Sequence, residues 1–272
     1  MSKAISEIHN IHITGNGTQP MLFAHGFGCD QTIWRYVTEA FEDKYKVILF
    51  DYIGSGKSDI TYYNKERHSA LQGYADDVLT ICKDLQLQDV IFIGHSVSCM
   101  IGMLAAIRQP ELFSQLIMIS PSPCYINDGD YKGGFERKQV DELFETMEHN
   151  LIEWASFLGP AIMGNPDKPE LGEEMKERFC QGDAEITKKF ARVSFFSDSR
   201  DQLKLLKIPS LIMQCREDVL VPTVIGHYMQ DQMQQSTLLH LQATGHCPHL
   251  SAPNETINVI RNYLDTNRGK QC

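Results

Sequence analysis

The chain has 272 residues, 42% hydrophobic and 22% charged, with a formal net charge of −10 at pH 7. That composition suits a soluble α/β domain carrying an insertion. No apolar run approaches the ~20 residues of a membrane-spanning helix, and the acidic balance argues against nucleic acid held through its phosphates.

The first half alternates strand and helix signals. Ile8 to Ile13 reads as an opening strand, and Pro20 to Ala24 as a short buried strand ending at His25-Gly26-Phe27-Gly28. Thr32 to Phe41 has helical spacing. Lys46 to Phe50 is a strand running into Asp51 and the turn Gly54-Ser55-Gly56. Leu71 to Leu85 places Leu71, Tyr74, Val78, Ile81, Cys82 and Leu85 on one helical stripe. The Val90 to Ile93 strand, a helix after Ser96 and the Leu116 to Ile119 strand follow. This order implies a mostly parallel sheet of about seven strands flanked by helices.

Between Pro123 and Leu206 no strand is evident. Val140, Leu143, Phe144, Met147, Leu151 and Trp154 fall at helical intervals, and seven of the thirteen phenylalanines lie between Phe135 and Phe196. The segment reads as helices that either line an apolar cavity or pack on one another. Strand and helix signals resume with Ser210 to Gln214, a helix from Pro222 to Met233, a strand at Leu238 to Leu241 and a final helix from Pro253 to Leu264. The expected organisation is a core from 1–122 and 207–272 with a helical lid, 123–206, over the C-terminal strand ends, where open parallel sheets bind ligands.

Gly94-His95-Ser96-Val97-Ser98 joins a buried strand to a helix. A serine on such a sharp turn is exposed as a nucleophile, and its neighbours must be small because strand and helix backbones nearly touch. Ser98 stands where the common G-x-S-x-G pattern has glycine. A serine hydroxyl needs a base in hydrogen-bond reach, and the base needs an orienting carboxylate. Downstream of Ser96, Asp218 and His246 occupy loops directly after strands. Glu217 and Asp231 compete with Asp218, which could also merely cap the next helix, and His249 competes with His246. Val97 and Phe27 are the candidate backbone donors of an oxyanion hole, each such donor being worth about 3 kcal/mol at the transition state. His25 reads as a brace for the Phe27 loop. Gly54-Ser55-Gly56-Lys57-Ser58 lacks the glycine spacing of a phosphate loop and reads as a turn.

The opening Met1-Ser2-Lys3-Ala4 lacks a secretory signal's apolar core. Eight cysteines without a C-x-x-C pair then read as reduced, mostly buried thiols of a cytoplasmic protein. Cys247, between His246 and His249, invites a metal reading, but no second clustered ligand set supports it. No metal and no cofactor is expected.

With these motifs in order, and with Gly26-Phe27-Gly28-Cys29-Asp30-Gln31, Pro121-Ser122-Pro123-Cys124-Tyr125, Gly133-Gly134-Phe135 and Gly245-His246-Cys247-Pro248-His249-Leu250-Ser251, the chain resembles an α/β-hydrolase of the RsbQ-like group. That group contains a bacterial stress-response regulator and the plant strigolactone and karrikin receptors. The resemblance runs over nearly the whole chain, and Ser98 matches the Ser-Val-Ser form of the plant receptors. It implies a V-shaped helical lid, a small hydrophobic pocket lined by Phe27, Val97, Phe135, Trp154 and Phe195, and slow hydrolysis of small esters or butenolide lactones coupled to signalling. For the bacterial relatives it implies a PAS-domain phosphatase as protein partner. A carboxylesterase without a signalling partner is the alternative. Haloperoxidase-like and carbon–carbon bond hydrolases share the serine, whereas dehalogenase chemistry wants aspartate at position 96.

Overall fold

A computed structural model describes residues 3–268; of the eight cysteines, Cys272 lies outside them, as do Met1 and Ser2. The seven strands are β1 (His12–Thr14), β2 (Pro20–Ala24), β3 (Lys46–Leu49), β4 (Val90–His95), β5 (Phe113–Ile119), β6 (Ser210–Glu217) and β7 (Ser236–Thr244). They form one sheet in the order β1-β3-β2-β4-β5-β6-β7, parallel except for β1 against β3. Every residue of β2 and β4 is buried, as expected of central parallel strands covered on both faces.

The helices that build and cover the site are α1 (Ile5–Ile8), α2 (Leu71–Asp84), α3 (Val97–Arg108), α4 (Arg137–His149), α5 (Leu151–Met163), α6 (Pro169–Phe179), α7 (Ala184–Phe196), α8 (Val224–Gln232), α9 (Pro248–Ser251) and α10 (Pro253–Arg268). Helices α4 to α7 occupy the segment between β5 and β6 and share one apolar core with the sheet. Their contact with the strand ends is close. A Cβ on Gly28, after β2, would meet the Phe179 ring of α6, and one on Gly54, after β3, would meet Ile186 of α7.

Two local expectations are corrected. Ile8 to Ile13 is not one strand: α1 ends at Ile8, Asn10 turns the chain at φ 47°, and β1 starts at His12. Its residues are all exposed at the sheet edge, so their alternation carried little signal. Thr32 to Phe41 forms two 3-10 turns, Gln31–Trp34 and Thr38–Phe41, the first capped by the Asp30 carboxylate accepting the Thr32 N–H. Ile33, Trp34, Val37 and Phe41 are buried; their spacing reported a buried face, which short 3-10 turns provide as well as an α-helix does.

Strand order places the site. The chain leaves β2 for β3 on one side and returns to β4 on the other, making a topological switch, the place where open α/β sheets bind ligands. Ala24 of β2 is paired with Gly94 of β4, so the residues that follow, through Phe27 and Val97, run out side by side.

Candidate active site

At the end of β4, Ser96 turns the chain into α3 with φ 56° and ψ −122°. A non-glycine residue in such a conformation stores about 1–3 kcal/mol. The turn is held by the Ser96 N–H donating to the Ile119 carbonyl at 2.9 Å and by the Ser96 carbonyl accepting from the Cys99 N–H at 3.0 Å. Gly94 is required by close approach, since a Cβ there would lie 2.8 Å from the Ser98 backbone. Ser98 is fully buried. Its hydroxyl donates to the His25 carbonyl at 2.5 Å and hydrogen-bonds the Tyr52 hydroxyl at 3.1 Å, so the residue replacing glycine ties the elbow to the loops after β2 and β3.

Ser96 Oγ is 2.8 Å from His246 Nε2, and His246 Nδ1 is 2.7 Å from Asp218 Oδ2. An Nδ1–H donating to the carboxylate leaves Nε2 as acceptor for the serine proton. The other Asp218 oxygen accepts the Leu220 N–H at 2.9 Å and the Val221 N–H at 3.2 Å. The carboxylate therefore braces its own loop and orients the imidazole. Glu217 faces solvent beside Arg216, and Asp231 is exposed on α8. The helical insertion also positions the histidine: His246 N–H donates to the Ile162 carbonyl of α5 at 2.8 Å. Gly245, at φ 83°, permits this approach, because a Cβ there would collide with the Met163 carbonyl.

Above Ser96 lies a cavity of about 20 Å³ lined by Phe27, Val97, Tyr125, Ile162, Phe179 and Phe195 among others. Such a volume holds about one water. The Phe27 and Val97 backbones flank Ser96 here. Val97 is the first residue of α3, where a helix N–H has no intrahelical acceptor and the dipole favours negative charge.

Phe135 and Trp154 do not line this cavity among the described residues. Phe135 exchanges backbone hydrogen bonds with Tyr125 and Asn127, while Trp154 packs behind the wall, against Phe27 and Phe179. Periodicity could mark both as buried but could not rank layers. The residue that sequence reasoning passed over is Tyr125, whose hydroxyl lies 3.3 Å from Ser96 Oγ. Burial pushes its phenol up, so it stays a proton donor. Its only signal was membership of the Pro121 to Tyr125 motif.

Neighbouring histidines are neutral by burial. His249 stacks on Trp34 and is pushed down to about 3, and His95, donating Nε2–H to the His246 carbonyl at 2.9 Å, falls well below its usual range. His25 accepts the Tyr52 N–H on Nε2 at 3.2 Å and donates Nδ1–H to the Gly26 carbonyl at 2.9 Å, an arrangement that only the neutral ring can make. Burial lowers the pKa of His25 and of His9. The unfolded chain takes up these protons near pH 6.5, so the stability from neutral His25 and His9 is complete above that pH and declines below it. The melting temperature is expected to fall between pH 7 and 5.5, and the slope to lessen in His25→Gln. A flat profile would show that the buried rings protonate without penalty.

Among the described residues no helix is long and apolar enough to cross a membrane. Seven cysteines are free thiols, all buried except Cys180.

Residues 21–259 match the Alpha/beta hydrolase family. The chain is 36% identical to the Karrikin insensitive 2 receptor CA of Petunia hybrida, covering 96% of this chain and 97% of the relative. It is 38% identical to Strigolactone esterase RMS3 of Pisum sativum, covering 93% and 95%. Among solved structures, a hydrolase from Oleispira antarctica superposes with a TM-score of 0.94 at 40% identity, covering 96% of each chain.

Proposed function

The chain belongs to the alpha/beta hydrolase family, and from that premise we propose that it binds a small hydrophobic ester or butenolide-type lactone over Ser96 and cleaves it slowly by acyl transfer. Ser96 attacks the carbonyl carbon while His246 Nε2 takes the hydroxyl proton. Asp218 keeps Nδ1 protonated and steadies the imidazolium that forms. The Phe27 and Val97 amides receive the developing oxyanion. His246 then returns its proton to the leaving alcohol, or to the ring-opened end of a lactone. Water, deprotonated by the same imidazole, releases the acid. The observation that carries this reading is the Asp218–His246–Ser96 chain at 2.7 and 2.8 Å, set on a serine in a strained turn.

Slow turnover has a physical basis in the cavity. A space of about 20 Å³ cannot admit an ester until the aromatic walls move. Helices α4 to α7, within 123–206, thus act as a lid whose opening accompanies binding, which is the coupling a receptor needs. Relatives named both receptor and esterase support a signalling role over a simple carboxylesterase. None of them names a PAS-domain phosphatase, and that partner forms no part of the reading.

Incubation with small lactones and esters, read by thermal shift and then by intact mass, tests the proposal. A ligand-dependent rise in melting temperature with an acyl adduct on Ser96 is expected; a full screen with neither would reject it. Phe195 lines the cavity and stacks near Tyr125 at 5.0 Å between ring centroids. Phe195→Ala should raise the rate on butyrate or hexanoate esters relative to acetate at least several-fold, while costing about 3–5 kcal/mol of stability for a lost buried ring. An unchanged chain-length preference would place the acyl group elsewhere.

A further inference from the structure

Beneath the triad lies a cluster of ligand atoms that the hydrolytic chemistry does not use. Cys247 adjoins His246, His249 sits in α9, and His95 ends β4 just before Ser96. One ligand atom from each lies within 4.8 Å of the other two, and all three side chains are buried. Cys247 Sγ is 3.8 Å from His95 Nε2, although the residues stand 152 apart in the chain. Spacing alone pairs Cys247 with His246 and His249; the fold gives His246 to the triad and supplies His95 in its place.

The nitrogens of this cluster are short of partners. Both ring nitrogens of His249 and Nδ1 of His95 are buried with no hydrogen bond among the described residues. Each unpartnered buried polar atom costs about 1–3 kcal/mol, and native proteins keep few of them without a compensating role. Stacking on Trp34 at 4.5 Å and on His95 at 4.4 Å holds the His249 ring without satisfying its edge. On the cavity side the lining continues in sulfur: Cys29 Sγ lies 4.0 Å from Met175 Sδ, and both line the same cavity as His95 and Cys247. No carboxylate belongs to the three-residue group. Imidazole and thiolate donors favour soft and borderline ions over Mg²⁺ or Ca²⁺, and structural zinc wants a fourth ligand that the group does not contain.

We propose that His95, Cys247 and His249 form a binding site for a thiophilic d¹⁰ ion, Cu⁺ foremost, reached through the cavity over Ser96. Binding forms a Cu–S bond as the Cys247 thiol releases its proton to solvent. The imidazoles donate lone pairs, and no electron changes hands. With bonds of about 2.0 Å to nitrogen and 2.3 Å to sulfur, donors at trigonal angles lie roughly 3.8 Å apart, so shifts of about an ångström close the set on one ion. Ligation through His95 Nε2 replaces its hydrogen bond to the His246 carbonyl, so occupancy disturbs the triad. That consequence, unlike the site, rests on the proposed hydrolase reading.

Anaerobic titration of the reduced full chain with Cu⁺ against the chromogenic chelator bicinchoninate tests the site. The expected result is one equivalent withdrawn per chain, with X-ray absorption showing two nitrogens and one sulfur around copper. Cys247→Ser and His249→Leu should each weaken binding at least tenfold, and Cys180→Ser, at the exposed thiol, should bind as the wild type does. Circular dichroism checks the variants. Should they not fold, the wild-type absorption spectrum decides, and a sulfur-only shell from Cys29 and Met175 overturns the assignment. Absence of one-equivalent binding, or its persistence in Cys247→Ser, also overturns it. A parallel Zn²⁺ titration that saturates where Cu⁺ does not would overturn the choice of ion. Bound copper should slow phosphonate labelling of Ser96. A protein that binds copper but never labels counts against the hydrolase reading alone.

Discussion

Ser96→Ala is expected to abolish covalent labelling by a serine-directed fluorophosphonate and to cut ester hydrolysis by on the order of 10⁴-fold or more. The substitution removes the only hydroxyl in hydrogen-bond reach of His246 Nε2 among the described residues. Little else changes, because the turn is held by backbone bonds to Ile119 and Cys99. The melting temperature should therefore stay near the wild-type value, separating loss of chemistry from loss of fold. Ligand-induced thermal shifts should survive, since the cavity walls are untouched. Combining Ser96→Ala with a His246 substitution should add little further loss, as residues acting as one unit are strongly non-additive. Labelling that persists in Ser96→Ala would place the nucleophile elsewhere.

Asp218→Asn should lower kcat by on the order of 10⁴ while leaving the loop in place. The carbonyl oxygen of the introduced amide can still accept the Leu220 and Val221 N–H groups, as Asp218 Oδ1 does at 2.9 and 3.2 Å. The amide NH₂ must then point at His246 Nδ1, where the carboxylate oxygen sat at 2.7 Å. Faced with a donor, Nδ1 gives up its proton and Nε2 carries it instead. Nε2 can then no longer accept the proton of Ser96, so the loss falls on kcat and not on ligand affinity. Steady-state kinetics beside ligand-binding thermal shifts separate these quantities. A rate within tenfold of wild type would deny Asp218 the orienting role, and with Glu217 and Asp231 facing solvent it would leave His246 to act unassisted.

The parts of the site most legible in the chain are those at strand ends. A parallel sheet puts every strand-to-helix loop on one rim, so Ser96, Asp218 and His246, each just past a buried apolar run, share an edge before any coordinates are known. Phe27 and Val97 follow from the same logic. The lining residues were harder. Trp154 and Phe135 carry the size and spacing of wall residues, yet one backs the wall and the other sits in a loop pairing. Tyr125, in the loop after β5, has no periodicity to mark it. The two 3-10 turns at Gln31–Trp34 and Thr38–Phe41 passed for a helix because burial period does not reveal which carbonyl each amide meets.

The chain by itself determined the strand–helix order, the nucleophile's elbow and the histidine and carboxylate that serve it, because these depend on local pattern and on the shared polarity of parallel strands. Tertiary structure alone decided what meets across the sheet: His95 with Cys247 and His249, Tyr125 with Ser96, α5 with the backbone of His246, and a cavity closed nearly to the size of one water. Such contacts join residues far apart in the chain, and close packing sets them through rotamers and helix placement that no one-dimensional spacing encodes.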